Sequence, residues 1–194
     1  MTRFEYVSIF NGIVVALALE NVASSFHKLF EAGGRVRWHW MAPVNAIGAV
    51  TGTLGQFWLF WVTRNMPMPS PTFLEFFPGA VTLVLLYLVC AATLPDTIPE
   101  TGIDLREFYF STRRQFWSLV VATLLLTVGV GVWRLSRYGF NAQAVRLNAP
   151  YLLGTLVFAA FAASMIYVKA SWWHVIGIIV ITSGVFLLFG PMKL

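Results

Sequence analysis

The sequence predicts an all-α fold: a polytopic transmembrane bundle of about six helices with one interfacial amphipathic helix near residues 104–115, in a single domain covering residues 1–194. Three observations carry this. Of the 194 residues 58% are hydrophobic and only 11% charged, with a mean hydropathy of +0.75, whereas an ordinary soluble domain carries roughly 25% charged residues. The apolar residues gather into six runs, Tyr6 to Phe26, Trp40 to Val62, Phe73 to Leu94, Phe116 to Trp133, Pro150 to Val168 and Trp172 to Phe189. Aromatic and basic residues cluster at the run ends, as in Arg37-Trp38-His39-Trp40 and Lys169-Ala170-Ser171-Trp172-Trp173-His174, the composition of a membrane–water interface.

Each run matches the roughly 20 residues a helix needs to cross hydrocarbon, and six of them use about 120 residues, leaving no room for a separate soluble domain. A membrane strand needs only about 9–11 residues with strict alternation, which these runs lack, so a barrel is not expected. The first run follows Arg3 and Glu5 without a small-residue cleavage pattern and a polar sequence after it, so it reads as the first span and not as a cleaved leader. Between the second and third runs, Pro67, Pro69 and Pro71 alternate with other residues, which removes amide donors and favours a short, stiff turn. Pro43 and Pro150 are expected in first turns, where proline is tolerated. Residues 135–148, with Arg137 and Arg146, show no clear periodicity and are expected as a loop.

The longest polar stretch runs from Pro95 to Gln115. Pro95 and Pro99 end the third helix, and Asp104 with Glu107 forms the D-x-x-E pattern that opens a helix at Leu105. Leu105, Phe108 and Tyr109 share one face, and Asp104, Arg106, Glu107, Arg113 and Arg114 are its expected surface contacts, the arginines with lipid headgroups, in an interfacial segment that runs into the fourth span; a plain extension of that span is the alternative. Trp38, His39, Trp40, Trp172, Trp173 and His174 are expected as interfacial anchors. With six spans, one side holds Arg3, Arg64, Arg134, Arg137, Arg146 and Lys193, and the other holds Lys28, Arg35, Arg37, Arg106, Arg113, Arg114 and Lys169. The seven-to-six balance differs by one charge and does not decide the orientation; the dense pairs Arg35/Arg37 and Arg113/Arg114 lean it toward both termini outside the cytoplasm.

Glu20 is the acidic residue well inside a predicted span, and such a residue is costly in lipid and ordinarily faces protein or water. On a helix it lies in a stripe with Gly12, Ala16, Ser24 and His27, which is therefore expected to face protein. The second run offers Asn45, Gly48, Ala49, Gly52, Gly55 and Gln56 at three- and four-residue spacing, and small residues let helices approach closely. Equal depth from the connecting loop brings Glu20 near Asn45 in this reading. Glu20, Asn21, Ser24, His27, Asn45 and Gln56 form the candidate polar intramembrane site, whose bland alternative is interhelical hydrogen bonding.

No cofactor is expected: the three histidines do not pair at one depth for haem, and a single cysteine, Cys90, excludes cysteine-based metal sites and a disulfide framework. The net charge of +5 is scattered between apolar runs, so membrane lipid is the expected partner and nucleic acid is not. Catalytic patterns such as H-E-x-x-H, G-x-S-x-G and the P-loop are missing, so no enzymatic activity is expected. Two functions follow from these observations: a non-catalytic accessory or self-associating subunit of a larger membrane complex or homo-oligomer, and a small permease or channel that passes protons, ions or a polar solute along the Glu20 stripe.

The stretches Phe4-Glu5-Tyr6-Val7-Ser8, Arg37-Trp38-His39-Trp40, Trp58-Leu59-Phe60-Trp61, Leu94-Pro95-Asp96 and Asp104-Leu105-Arg106-Glu107-Phe108-Tyr109-Phe110 together resemble a group of short bacterial multi-pass membrane proteins with no named activity. The resemblance spans the first two thirds of the chain. It implies a bacterial inner-membrane setting and no mechanism.

Overall fold

The computed structural model describes residues 3–62, 73–138, 142–177 and 179–180. Its helices are α1 (Arg3–Ala32), α2 (Met41–Val62), α3 (Phe73–Ala91), α4 (Leu105–Tyr138) and α5 (Ala142–Tyr167), and the chain is helical again over residues 171–177. Among the described residues three stretches are long and apolar enough to cross a membrane: Glu5–Arg35, Leu105–Arg137 and Ala149–Tyr167. The α3 stretch Phe76–Ala91 is apolar but shorter. α2 has 22 residues, and Asn45, Thr51, Thr53 and Gln56 dilute its apolar character. The expected proline turn over residues 64–71 and the last part of the sixth run, 181–189, lie outside the described residues.

Threonine hydroxyls along these helices are satisfied locally. Thr51, Thr53, Thr82, Thr123, Thr127 and Thr155 each donate to the carbonyl four residues earlier, at 2.7–2.9 Å, as an apolar solvent demands of any polar group. The outer surface is correspondingly apolar: Ile9, Ile13 and Leu17 on α1 and Leu153 and Val157 on α5 are all at least half exposed.

α1 packs on α2 and α3, α2 also touches α3 and α4, α3 packs on α4, and α5 packs on α4. The α1 seam is Asn11, Val15, Ala18, Val22, Ser25, Leu29 and Ala32, all buried. Its spacing alternates between four and three residues, which keeps one narrow face toward the neighbours. α2 answers with Ala42, Ala46, Ala49 and Thr53, also buried, whose small side chains let the helices come close. Thr53 meets Cys90 of α3 at 3.5 Å.

The α1–α2 and α3–α4 connections are tied to each other. Val36–Arg37 (β1) and Ile103–Asp104 (β2) form a parallel two-residue pairing, with Val36 opposite Ile103 and Arg37 opposite Asp104. Arg37 approaches the Asp104 carboxylate at 3.8 Å, and from α1 Ser25 Oγ and Lys28 Nζ donate to the Asp96 carboxylate and carbonyl at 3.4 and 3.2 Å. Gly102 turns the chain into β2 with φ +86°, and a Cβ there would lie 2.5 Å from the Arg35 carbonyl oxygen. Any side chain would both strain the backbone and break this approach.

Two expectations are corrected. Residues 105–115 run into the fourth span as expected, being the first turns of α4, 34 residues long, but Leu105, Tyr109 and Arg113 are buried in the bundle and do not form an interfacial face. No glycine or proline interrupts residues 105–128, so a helix started by the Asp104 cap has nothing to stop it. The stretch 135–148 is likewise mostly helical: α4 extends to Tyr138 and α5 starts at Ala142, which leaves Pro150 inside α5 and not in a first turn.

Asp104 caps α4 as its D-x-x-E pattern predicts. The Arg106 and Glu107 amides donate to Oδ1 at 2.8 and 3.3 Å, and these two bonds hold the carboxyl below the ordinary carboxylate range. A pKa lower in the folded than in the unfolded chain stabilises the fold above the unfolded value of about 3.9 and loses that contribution as pH falls through the folded value. Asp104→Asn keeps a capping oxygen without a titrating group. Thermal unfolding followed by circular dichroism from about pH 7 to about pH 3 should show the wild-type midpoint falling more steeply than that of the variant.

Candidate functional site: a basic cleft over a buried tyrosine–histidine pair

The row Leu105, Tyr109, Arg113 and Phe116 repeats at four, four and three residues and is buried throughout, as is Trp117 beside it. Helical spacing thus sends one arginine into the packed side of α4 among apolar and aromatic residues.

Tyr109 joins this helix to the last described segment. Its hydroxyl lies 2.7 Å from His174 Nδ1, and His174 Nε2 lies 2.9 Å from the Val168 carbonyl oxygen. A carbonyl oxygen only accepts, so Nε2 carries the ring proton, Nδ1 accepts, and the Tyr109 hydroxyl donates. Trp117 Nε1 donates to the same hydroxyl oxygen at 3.4 Å, and the Asn45 side chain of α2 is a further polar partner. The Tyr109 and Phe110 rings meet His174 edge-on at 5.4 and 5.6 Å. Every polar atom of the pair is therefore engaged by protein. The pair fastens the break between α5 and residues 171–177 to the first turns of α4.

That fastening brings residues 169–171 beside the basic side of α4. A cleft of about 560 Å³ opens there, lined by Arg106, Arg113, Arg114 and Lys169 with Ser111 and Ser171, and floored by Phe110. Four of its lining side chains are cationic and none is acidic. Among the described residues none of the four forms an ion pair with a carboxylate. Arg113 is 6% exposed, its Nε is buried without a hydrogen-bond partner, and its guanidinium carbon stands 6.0 Å from the Phe110 ring centre. Taking a cation this far out of water without an anion is unfavourable by several kcal/mol in order of magnitude.

The expected sites are distributed differently. Among the anchors, Trp38, Trp40 and Trp172 are exposed, His39 is half-buried and accepts the Met41 amide at 3.5 Å, and Trp173 donates from Nε1 to Ser164 at 2.8 Å. His174 is a correction: it is wholly buried, because both ring nitrogens find protein partners. Asp104 is a cap, Arg106, Glu107 and Arg114 are exposed, and Arg113 is buried.

The polar intramembrane group is also not gathered. Glu20 and His27 are exposed, Asn21, Ser24 and Gln56 are half-buried, and only Asn45 is buried. His27 meets Glu31 at 3.4 Å on the surface. The expected inward stripe of α1 points outward, and Asn45 turns to Tyr109 in place of Glu20, because the more apolar 3-4 seam of α1 wins the buried side. Among the described residues no group of three or more His, Cys, Asp or Glu could hold a metal ion. Comparison of the chain with protein-family models, curated proteins and solved structures finds no match.

Tyr109→Phe would strip His174 Nδ1 and Trp117 Nε1 of their shared partner, at a cost of roughly 1–3 kcal/mol. Thermal unfolding should register that loss, and adding Trp117→Phe to Tyr109→Phe should lower the midpoint by less than Trp117→Phe does alone.

Proposed function

We propose that the chain is a six-span protein of a bacterial inner membrane that acts as a non-catalytic subunit, associating through the outer face of α1 with a second membrane chain of the same or another sequence. The observation that carries this reading is the exposure of Glu20. Ile13 and Leu17, four-residue neighbours on the outer face, are 56% and 52% exposed, and Glu20 continues their row near the middle of the span Glu5–Arg35. Among the described residues it makes no hydrogen bond or ion pair. A carboxyl at mid-depth on a lipid-facing row is unfavourable in a lone chain and is relieved by a partner that offers a hydrogen bond or a cation. Asn21 and Ser24, adjacent on the same helix, extend the polar patch.

A conduit within one chain would require the Glu20 stripe to point inward, and its exposure favours the subunit reading over the permease. Membrane lipid covers the remaining apolar surface, and the short apolar run of α3 and the polar interruptions of α2 are carried by their neighbours in the bundle.

Native mass spectrometry after gentle extraction should find a homo-oligomer or a stoichiometric companion. Glu20→Leu, which removes one interhelical hydrogen bond of about 0.6–2 kcal/mol, should weaken that association by roughly 3- to 30-fold. A monomer without companion in native membrane, or association unchanged in the variant, would contradict the proposal.

A further inference from the structure

We infer that the cleft between the first turns of α4 and residues 169–171 is a binding site for a phosphate group of at least two negative charges, taken from a lipid headgroup or from free phosphate or pyrophosphate. The inference is independent of the association proposed through Glu20, which lies on a different helix and at a different depth.

Three features point to it. The first is charge: Arg106, Arg113, Arg114 and Lys169 converge on one cleft without a carboxylate among its lining residues. A single phosphodiester would leave most of that charge unbalanced, whereas a phosphomonoester or two linked phosphates would offset more of it, and guanidinium groups match phosphate oxygens in pairs. The second is Arg113. Surface arginines carry their own water, but Arg113 is 94% buried by its 6% exposure, with Nε unpartnered and no hydrogen bond among the described residues. A fold that merely needed a side chain in this row would be better served by leucine or methionine, since an uncompensated buried charge destabilises it. An arginine kept there is explained by an anion that completes it. The third is rigidity. The Tyr109–His174–Val168 chain of hydrogen bonds, at 2.7 and 2.9 Å, holds the strand of residues that presents Lys169 and Ser171, so the two walls of the cleft are set before a ligand arrives. Ser111 and Ser171 add hydroxyl donors to the cationic groups.

The test uses the full chain in nanodiscs of phosphatidylcholine, with three additions measured separately: phosphatidate, phosphatidylglycerol at matched total negative charge, and soluble pyrophosphate. Thermal midpoint and lipid retention in native mass spectrometry are the readouts. Phosphatidate or pyrophosphate should raise the wild-type midpoint, and phosphatidylglycerol should raise it less. A response to phosphatidate alone assigns the headgroup source, and a response to pyrophosphate assigns a free one. Lys169→Gln, at an exposed position, should fold normally and bind at least tenfold more weakly. Arg113→Met should abolish the ligand-dependent shift without lowering the midpoint measured in the absence of ligand, whereas loss of a purely structural arginine would lower it. Equal responses to phosphatidate and phosphatidylglycerol at matched charge, no response to any addition, or wild-type responses in both variants would overturn the inference.

Discussion

The hydrogen bond between Tyr109 and His174 organises the end of the bundle where the connections meet. Through it the last described segment is seated on α4, and through the second ring nitrogen the Val168 carbonyl, left without a helical partner where α5 ends, is satisfied. Buried polar groups in a packed interior are tolerable only when their bonds are complete. Here Trp117 and Asn45 close the account around the hydroxyl. The arrangement has a consequence for charge: what is completed around Tyr109 is not completed around Arg113, one turn further along the same row.

Much of the helical architecture is legible in the sequence. The start of α4 at Leu105 follows from Asp104 and Glu107, because a carboxylate three residues before a glutamate satisfies amides that no helix can satisfy itself. The extents of α2 and α3 follow closely from their apolar runs. The continuity of α4 through residues 105–115 is less visible, since the arginines there look like a surface and only the lack of a breaking residue argues for one rod. Residues 135–148 are misread for a different reason: weak periodicity is a poor guide to whether a helix persists, and here Gly139 follows the last residue of α4 while helix resumes at Ala142.

The site was harder to read because two periodic stripes compete on α1. A polar stripe through Glu20 and a seam through Val15, Ala18, Val22, Ser25, Leu29 and Ala32 are both present in the sequence, and reading polar residues as inward, as is usual in membranes, selects the first. The alternation of three and four residues in the second is the signal that would have reversed the choice. Arg113 could have been found in the same way, as the residue four beyond Tyr109 in the row that starts at Leu105. His174 could not, because its partners Tyr109 and Val168 come together only through the packing of residues 171–177 against α4, and nothing local in Ser171-Trp172-Trp173-His174 distinguishes a buried hub from an interfacial anchor.

The most direct test of this account is nitrogen-15 NMR of the His174 ring in the full chain, with His27 and His39 replaced to isolate the signal. The protonated Nε2 of the Tyr109-bound ring predicts a single neutral tautomer with a hydrogen-bonded, unprotonated Nδ1, and loss of the shift of that nitrogen in Tyr109→Phe. A ring protonated at Nδ1, or one that averages between tautomers as a solvent-exposed histidine does, would contradict the fastening on which the cleft and its buried arginine depend.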